Sequence, residues 1–302
     1  MALRNLLVTG ATGKQGGAVI SALSRSQSDP PFNIFALTRN AKSGPAQILA
    51  SKQHISLIEG DLNDVPAIFR KLPESIHGVF LVQTPLKPKV EEQQGKALVD
   101  AAASHGVKHF IYTSAERGGP ANSDRDGTVV AHFRSKFNIE NHLKSVAREH
   151  AGMDWTIIRP VAFMDNLSND FLGRAFATMW RQNGMERKLQ LVSSVDIGVL
   201  AADAFKHEQE YAGKAISLAT DELTPREAEE IFKNVFGREM PRTYDFLGRM
   251  IKWLAHEQLG VMFKWFVDVG FGADVKEYPR KFPEMRNFEK WLREQSKFQK
   301  VA

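Results

Sequence analysis

Short apolar runs alternate with segments of helical spacing through the first half of the chain. Residues 6–8, 33–37, 55–58, 78–82, 108–112 and 155–158 read as six short strands. Between them, 16–24, 65–72, 91–104 and 133–150 repeat apolar residues at helical intervals; in the first, Val19, Ile20 and Leu23 share one face. Gly106 is the expected stop of the third helix. Brief strands spaced by helices predict a parallel sheet covered on both faces. Right-handed crossovers turn it into a doubly wound α/β sheet, a Rossmann fold.

The second half is less regular. A helix is expected over 193–205, with Asp196 in its first turn, and a late strand over 216–218 that returns to the sheet. Thr224-Pro225-Arg226-Glu227 reads as a helix start: Thr caps, Pro takes the first turn and Glu closes the capping box. Residues 250–267 are crowded with large apolar side chains, among them Trp253, Phe263, Trp265 and Phe266. They suit core packing, an apolar pocket or a partner surface. The expected division is a dinucleotide-binding domain over 1–160, joined by 193–218. A smaller, mostly helical region of 161–192 and 219–302 would meet substrate or partner.

Composition narrows the chemistry. Of 302 residues, 43% are hydrophobic and none is cysteine, which removes disulfides, thiolate metal sites and cysteine nucleophiles. The net charge of +5 is concentrated in the tail, where eight Lys and Arg face four Glu from Lys276 onward. Mixed signs describe a solvated face, not a nucleic-acid surface. The histidines do not cluster; Gly106 separates His105 from His109, so no metal site is expected. The first apolar run is broken at Gly10, too soon for a signal core or a membrane span. The expectation is a cytoplasmic protein, or a nuclear one if it regulates, without direct nucleic-acid or membrane binding.

The strongest motif follows the first strand. Gly10-Ala-Thr-Gly13-Lys-Gln-Gly16 opens a helix, where backbone N–H groups and the helix dipole favour a pyrophosphate. Gly10 permits the turn, Gly13 admits the phosphates, and Gly16 brings helix to sheet. Thr12, Lys14 and Gln15 lie between the glycines as further expected contacts. The second strand ends in Thr38-Arg39-Asn40, where an NAD site carries Asp or Glu. Arg39 can grip a 2′-phosphate that a carboxylate would repel, so NADP(H) is expected over NAD(H). Asp61 and Leu62 either edge the adenine or cap the next helix. Gln83, Thr84, Thr113 and Ser114 end strands on the ligand-binding side of such a sheet. The polar stretch 115–130 reads as a lid over the cleft or as a loose connector.

The glycine loop, Gly60-Asp61, Tyr112-Thr113-Ser114, His132-Phe133-Arg134-Ser135-Lys136 and Arg159-Pro160-Val161-Ala162-Phe163-Met164-Asp165-Asn166 occur in that order. Together they resemble the NmrA-like family of atypical short-chain dehydrogenases, its fungal members above all. Some members resemble nucleotide sensors that regulate a protein partner. Others, near the isoflavone and phenylcoumaran benzylic ether reductases, are NADPH-dependent enzymes. Typical short-chain dehydrogenases place Tyr-x-x-x-Lys on the helix after the fifth strand. Here His132 stands where Tyr is usual and Lys136 matches the Lys. The resemblance implies that Lys136 holds the nicotinamide ribose and that His132 is the general acid, or orients a water for Lys136. It places Ser114 where a hydroxyl can bond a carbonyl, and Pro160, Phe163 and Met164 along the nicotinamide. The leading expectation is an NADPH-dependent reductase of a small, hydrophobic carbonyl or activated alkene. The rival is a non-catalytic NADP(H) sensor with a protein partner.

Overall fold

The computed structural model describes residues 3–25, 32–83 and 87–298. Ten strands run in chain order: β1 Arg4–Val8, β2 Phe32–Thr38, β3 Ile55–Glu59, β4 Gly78–Leu81, β5 His109–Thr113, β6 Asp154–Pro160, β7 Ala162–Phe163, β8 Leu189–Val192, β9 Lys214–Leu218 and β10 Asp221–Leu223. The helices of the first half are α1 Lys14–Arg25, α2 Gly44–Ala50, α3 Val65–Phe69, α4 Pro88–Ser104, α5 Pro120–Arg125 and α6 Ala131–Glu149. Those of the second half are α7 Phe171–Arg181, α8 Ser194–Lys206, α9 Glu208–Tyr211, α10 Pro225–Phe236, α11 Asp245–Leu254, α12 Val261–Asp268, α13 Glu277–Lys281 and α14 Phe288–Glu294.

Seven strands form one sheet in the order β3-β2-β1-β4-β5-β6-β9. The pairings from β3 through β6 are all parallel. The central strands read as apolar runs because both faces are covered: Leu6, Leu7 and Val8 on β1 and Val79, Phe80 and Leu81 on β4 are each 0% exposed. The order reverses between β1 and β4, which leaves a crevice outside their carboxyl ends. Every strand expected in the sheet is present, within one or two residues at most ends.

The chain divides into two compact units. The first comprises 1–114, 135–159 and 197–216; the second comprises 115–134, 160–196 and 217–302. A second sheet, β10-β8-β7, was not legible from the sequence, because its strands are two to four residues long. It pairs one parallel and one antiparallel neighbour. In the second unit, α10 begins as expected. Thr224 accepts from the Glu227 N–H, the Glu227 carboxylate accepts from the Thr224 N–H, and Gly237 ends the helix at φ 70.

The crowded stretch after Met250 resolves into two fates. Phe263, Trp265 and Phe266 are core, packed with Phe176, Phe232 and Trp291 among others. Trp253 is 75% exposed on α11. No helix among the described residues is long and apolar enough to cross a membrane.

Candidate dinucleotide cleft

A cleft of about 350 Å³ opens at the carboxyl ends of β1 to β4. Its walls include Gly10, Thr12 and Gly13 from the glycine loop, Thr38 and Arg39 after β2, Gly60, Asp61 and Leu62 after β3, and Val82, Gln83, Glu91 and Gln94 from β4 and α4. Seven of the site residues expected from the sequence line it: Gly10, Thr12, Gly13, Arg39, Asp61, Leu62 and Gln83.

The loop depends on two glycines. Gly10 has φ 57, and a Cβ there would stand 2.7 Å from Val82 Cγ1. A Cβ on Gly16 would meet the carbonyl oxygens of Gly10 and Thr9 at 2.4 and 2.5 Å. Backbone on both sides cannot yield, so α1 sits against β1 only with glycine at 16. Lys14 is the first residue of α1 rather than a loop residue, and it is exposed. Gln15 accepts from the Thr113 hydroxyl at 2.8 Å, tying the loop to the end of β5.

Arg39 is exposed on the cleft wall and makes no ion pair among the described residues. Of the two readings of Asp61, the helix cap fails. The cap of α3 is Asp64, whose carboxylate accepts from Ala67 N–H, while the Asp61 carboxylate accepts from Asn63 N–H and the residue lines the cleft. Gln83 is buried; its Nε2 donates to the Glu91 carbonyl at 2.6 Å, and its Oε1 has no hydrogen-bond partner among the described residues. Thr84 lies outside the described residues.

Lys136 stands on α6 and is 8% exposed. Its Nζ lies 2.7 Å from Glu91 Oε1 and 5.7 Å from the centre of the Tyr112 ring. Glu91 was missed in the sequence, where Glu91-Glu92 reads as an acidic helix start. The helix phase carried the signal: Glu91 shares the buried face of α4 with Gly95, Leu98 and Ala102. Ser135 Oγ donates to the other Glu91 oxygen at 2.8 Å.

The Ser114 hydroxyl donates to Glu140, whose carboxylate is held by Arg159 at 2.6 Å in a pair about 1% exposed. Its proton is therefore engaged inside the fold. His132 is half-buried in the first turn of α6, four residues before Lys136 and so on the same helical side. Pro160 ends β6, and Phe163 belongs to β7; neither lines the cleft described above. Met164 is 0% exposed in the core of the second unit.

The stretch 115–130 is not a loose connector. Glu116 and Arg117 are 0% and 1% exposed. The Arg117 guanidinium donates to the carbonyls of Ala115, Ser123 and Asp126, and Glu116 accepts from the N–H groups of Gly118, Gly119 and Gly272. Internal satisfaction of this kind fixes a segment that composition alone makes look mobile. No group of acids and histidines able to hold a metal occurs among the described residues.

The NmrA-like family model matches residues 4–292. The chain belongs to the NmrA-like family. It is 22% identical over 305 residues to an NmrA-like family domain-containing protein of Dictyostelium discoideum, covering 96% of this chain and 97% of that one. It is 26% identical over 264 residues to an NmrA-like family domain-containing oxidoreductase of Aspergillus hancockii, covering 78% and 73%. Among solved structures it is similar to NmrA, a negative transcriptional regulator, in complex with NAD: TM-score 0.75, 20% identity, 98% and 96% coverage. NmrA has also been solved with NADP, at TM-score 0.73 and 20% identity over the same shares. At that identity the structural likeness speaks to the fold alone.

Proposed function

We propose that this NmrA-like protein is an NADP(H)-dependent reductase of a small, hydrophobic carbonyl or activated alkene. The observation that carries the reading is the cleft itself. A glycine loop leading into α1 and an Arg39 without an ion pair among the described residues line one crevice at the point where strand order reverses. Two features fit a dinucleotide. The positive φ of Gly10, with Val82 against it, and the backbone pressed on Gly16 make glycine obligatory in this turn, as a pyrophosphate-binding loop needs. Gln83 Oε1 is a buried acceptor in the wall that lacks a donor among the described residues, and a sugar hydroxyl or an amide N–H would satisfy it.

Gly10, Thr12 and Gly13 would hold the pyrophosphate, Arg39 the 2′-phosphate, and Asp61 and Leu62 the adenine end. Lys136 would hold the nicotinamide ribose. A reduced nicotinamide bound there supplies a hydride to the substrate carbon. His132, one turn before Lys136, supplies the proton to the oxygen or carbon left negative. Support comes also from the relatives, one of which is named an oxidoreductase. The sensor reading keeps one specific observation in its favour: His132 occupies the position of the usual Tyr.

NADPH oxidation at 340 nm against quinones, aromatic ketones, enones and benzylic ethers tests the reading. Turnover is expected with at least one class. Lys136→Met should lower it by about a hundredfold or more, and His132→Ala by about tenfold or more. Tight NADPH binding with no turnover across the panel would replace the reductase with the sensor.

A further inference from the structure

Glu91 has an environment that burial alone does not explain. Its side chain is 0% exposed, yet it lines the cleft wall. A carboxylate is kept in such a place only when it is paired, and here one oxygen has an ion pair and the other a hydrogen bond. One oxygen faces Lys136 Nζ at 2.7 Å, the other accepts from Ser135 Oγ at 2.8 Å, and the residue's own carbonyl accepts from Gln83 Nε2 at 2.6 Å. The neighbouring Glu92 is engaged differently, with Lys96 at 2.6 Å and Asn138 at 2.9 Å. The Glu91 carboxylate is thus anchored through Ser135, and Lys136 is the cation paired with it.

Two apolar side chains of the same volume would stabilise a fold at least as well as this buried pair. What the pair provides is direction. An ammonium has three N–H groups. The Glu91 ion pair fixes where that ammonium sits, and the centre of the Tyr112 ring stands 5.7 Å from it. We propose that Glu91 is a positioning residue, whose fixed carboxylate aims the Lys136 ammonium at the sugar hydroxyls of a dinucleotide in the cleft. This rests on the reading of the cleft as a dinucleotide site. It assigns to a residue of α4 a part that the His-x-x-x-Lys segment on α6 does not contain.

The test compares two ligands. NADPH carries both halves of the dinucleotide; adenosine 2′,5′-bisphosphate carries only the adenine half. Dissociation constants are measured for both with the wild type, Glu91→Gln, Glu91→Asp and Lys136→Met, and with Glu91→Gln in the Lys136→Met background. Glu91→Gln should weaken NADPH about tenfold, the loss of one charge-assisted hydrogen bond, and leave the bisphosphate within about twofold. Glu91→Asp should recover part of the loss. In the Lys136→Met background, Glu91→Gln should add less than about twofold, because the two act as a unit.

Equal weakening of both ligands would make the pair a structural prop of the cleft and overturn the proposal. So would unchanged NADPH binding, or additive losses in the double variant. If Glu91→Gln does not fold, Ser135→Ala takes its place by releasing one carboxylate oxygen. NADPH should then weaken by about threefold with the bisphosphate unchanged, and no change in NADPH overturns the proposal. A wild-type protein that binds neither ligand would instead remove the dinucleotide reading itself.

Discussion

Arg39 owes its meaning to its place at the end of β2, where it is exposed on the cleft wall without an acidic partner among the described residues. A guanidinium so placed is available to a phosphate monoester, to which it offers two parallel hydrogen bonds. Arg39→Ala is expected to raise the dissociation constant of NADPH about tenfold and to leave that of NADH nearly unchanged. Equal dissociation constants for the two cofactors in the unaltered protein would remove the preference for the 2′-phosphate. Arg39 was legible in the sequence because it follows an apolar run at a fixed distance from the glycine loop. Glu91 was not, because its partner lies 45 positions away and only folding brings α4 against α6. Ser114 shows the opposite error. Its position follows the motif, but its hydroxyl proton goes to Glu140, which Arg159 holds in place.

The strands of the large sheet were readable from their apolar runs, and one of them carries a titratable group inward. His109 on β5 is 0% exposed, and its Nε2 lies 2.8 Å from the Thr156 hydroxyl on β6. That hydroxyl donates to the Tyr211 carbonyl at 2.9 Å, so the imidazole carries its proton on Nε2 and donates it to Thr156. The other ring nitrogen is buried without a hydrogen-bond partner among the described residues. Burial holds the pKa of His109 down to about 4, although Glu208 and Asp154 pull it the other way. The unfolded chain, with an ordinary imidazole, binds a proton that the folded chain refuses between about pH 6.5 and that value. Stability from this residue is thus present above pH 6.5 and lost as pH falls toward 4, by about 3 kcal/mol in full. Denaturant titrations at pH 7 and pH 5 should show about 2 kcal/mol of that loss in the wild type and a smaller one in His109→Gln. The same pH dependence in both would place its origin elsewhere. By contrast, the loose-connector reading of 115–130 fails because Glu116 and Gly272 are 156 residues apart, a closure that composition cannot announce.

Chain termini are often dispensable, but this one is not a tail. The basic run after Lys276 was read as a solvated face, and its charged residues largely are. Yet Phe288, Trp291 and Leu292 on α14 are 0%, 3% and 2% exposed in the core of the second unit. Arg286 reaches Asp196 at 2.9 Å, 90 residues back, through both its side chain and its backbone N–H. Asp196 is buried, which pushes its pKa up to about 6 even with Arg286 in place. Ending the chain at residue 283 would uncover the aromatic core and strand that carboxylate. The truncated protein is expected to lose its sharp thermal transition in the second unit, read by tryptophan fluorescence and proteolysis. A melting temperature within about 2 °C of the full chain would show the segment to be an ornament of the fold. A last consequence follows from the order in which the segments alternate, three for each unit along one chain. On the ribosome, the large sheet lacks its outermost strand until β9, Lys214–Leu218, has emerged, by which time most of the other unit's first two segments are also free. Neither half can be lifted out as a single stretch of gene. Recombination can therefore pass this protein on whole or break it, but cannot trade the half that carries the cleft for another's.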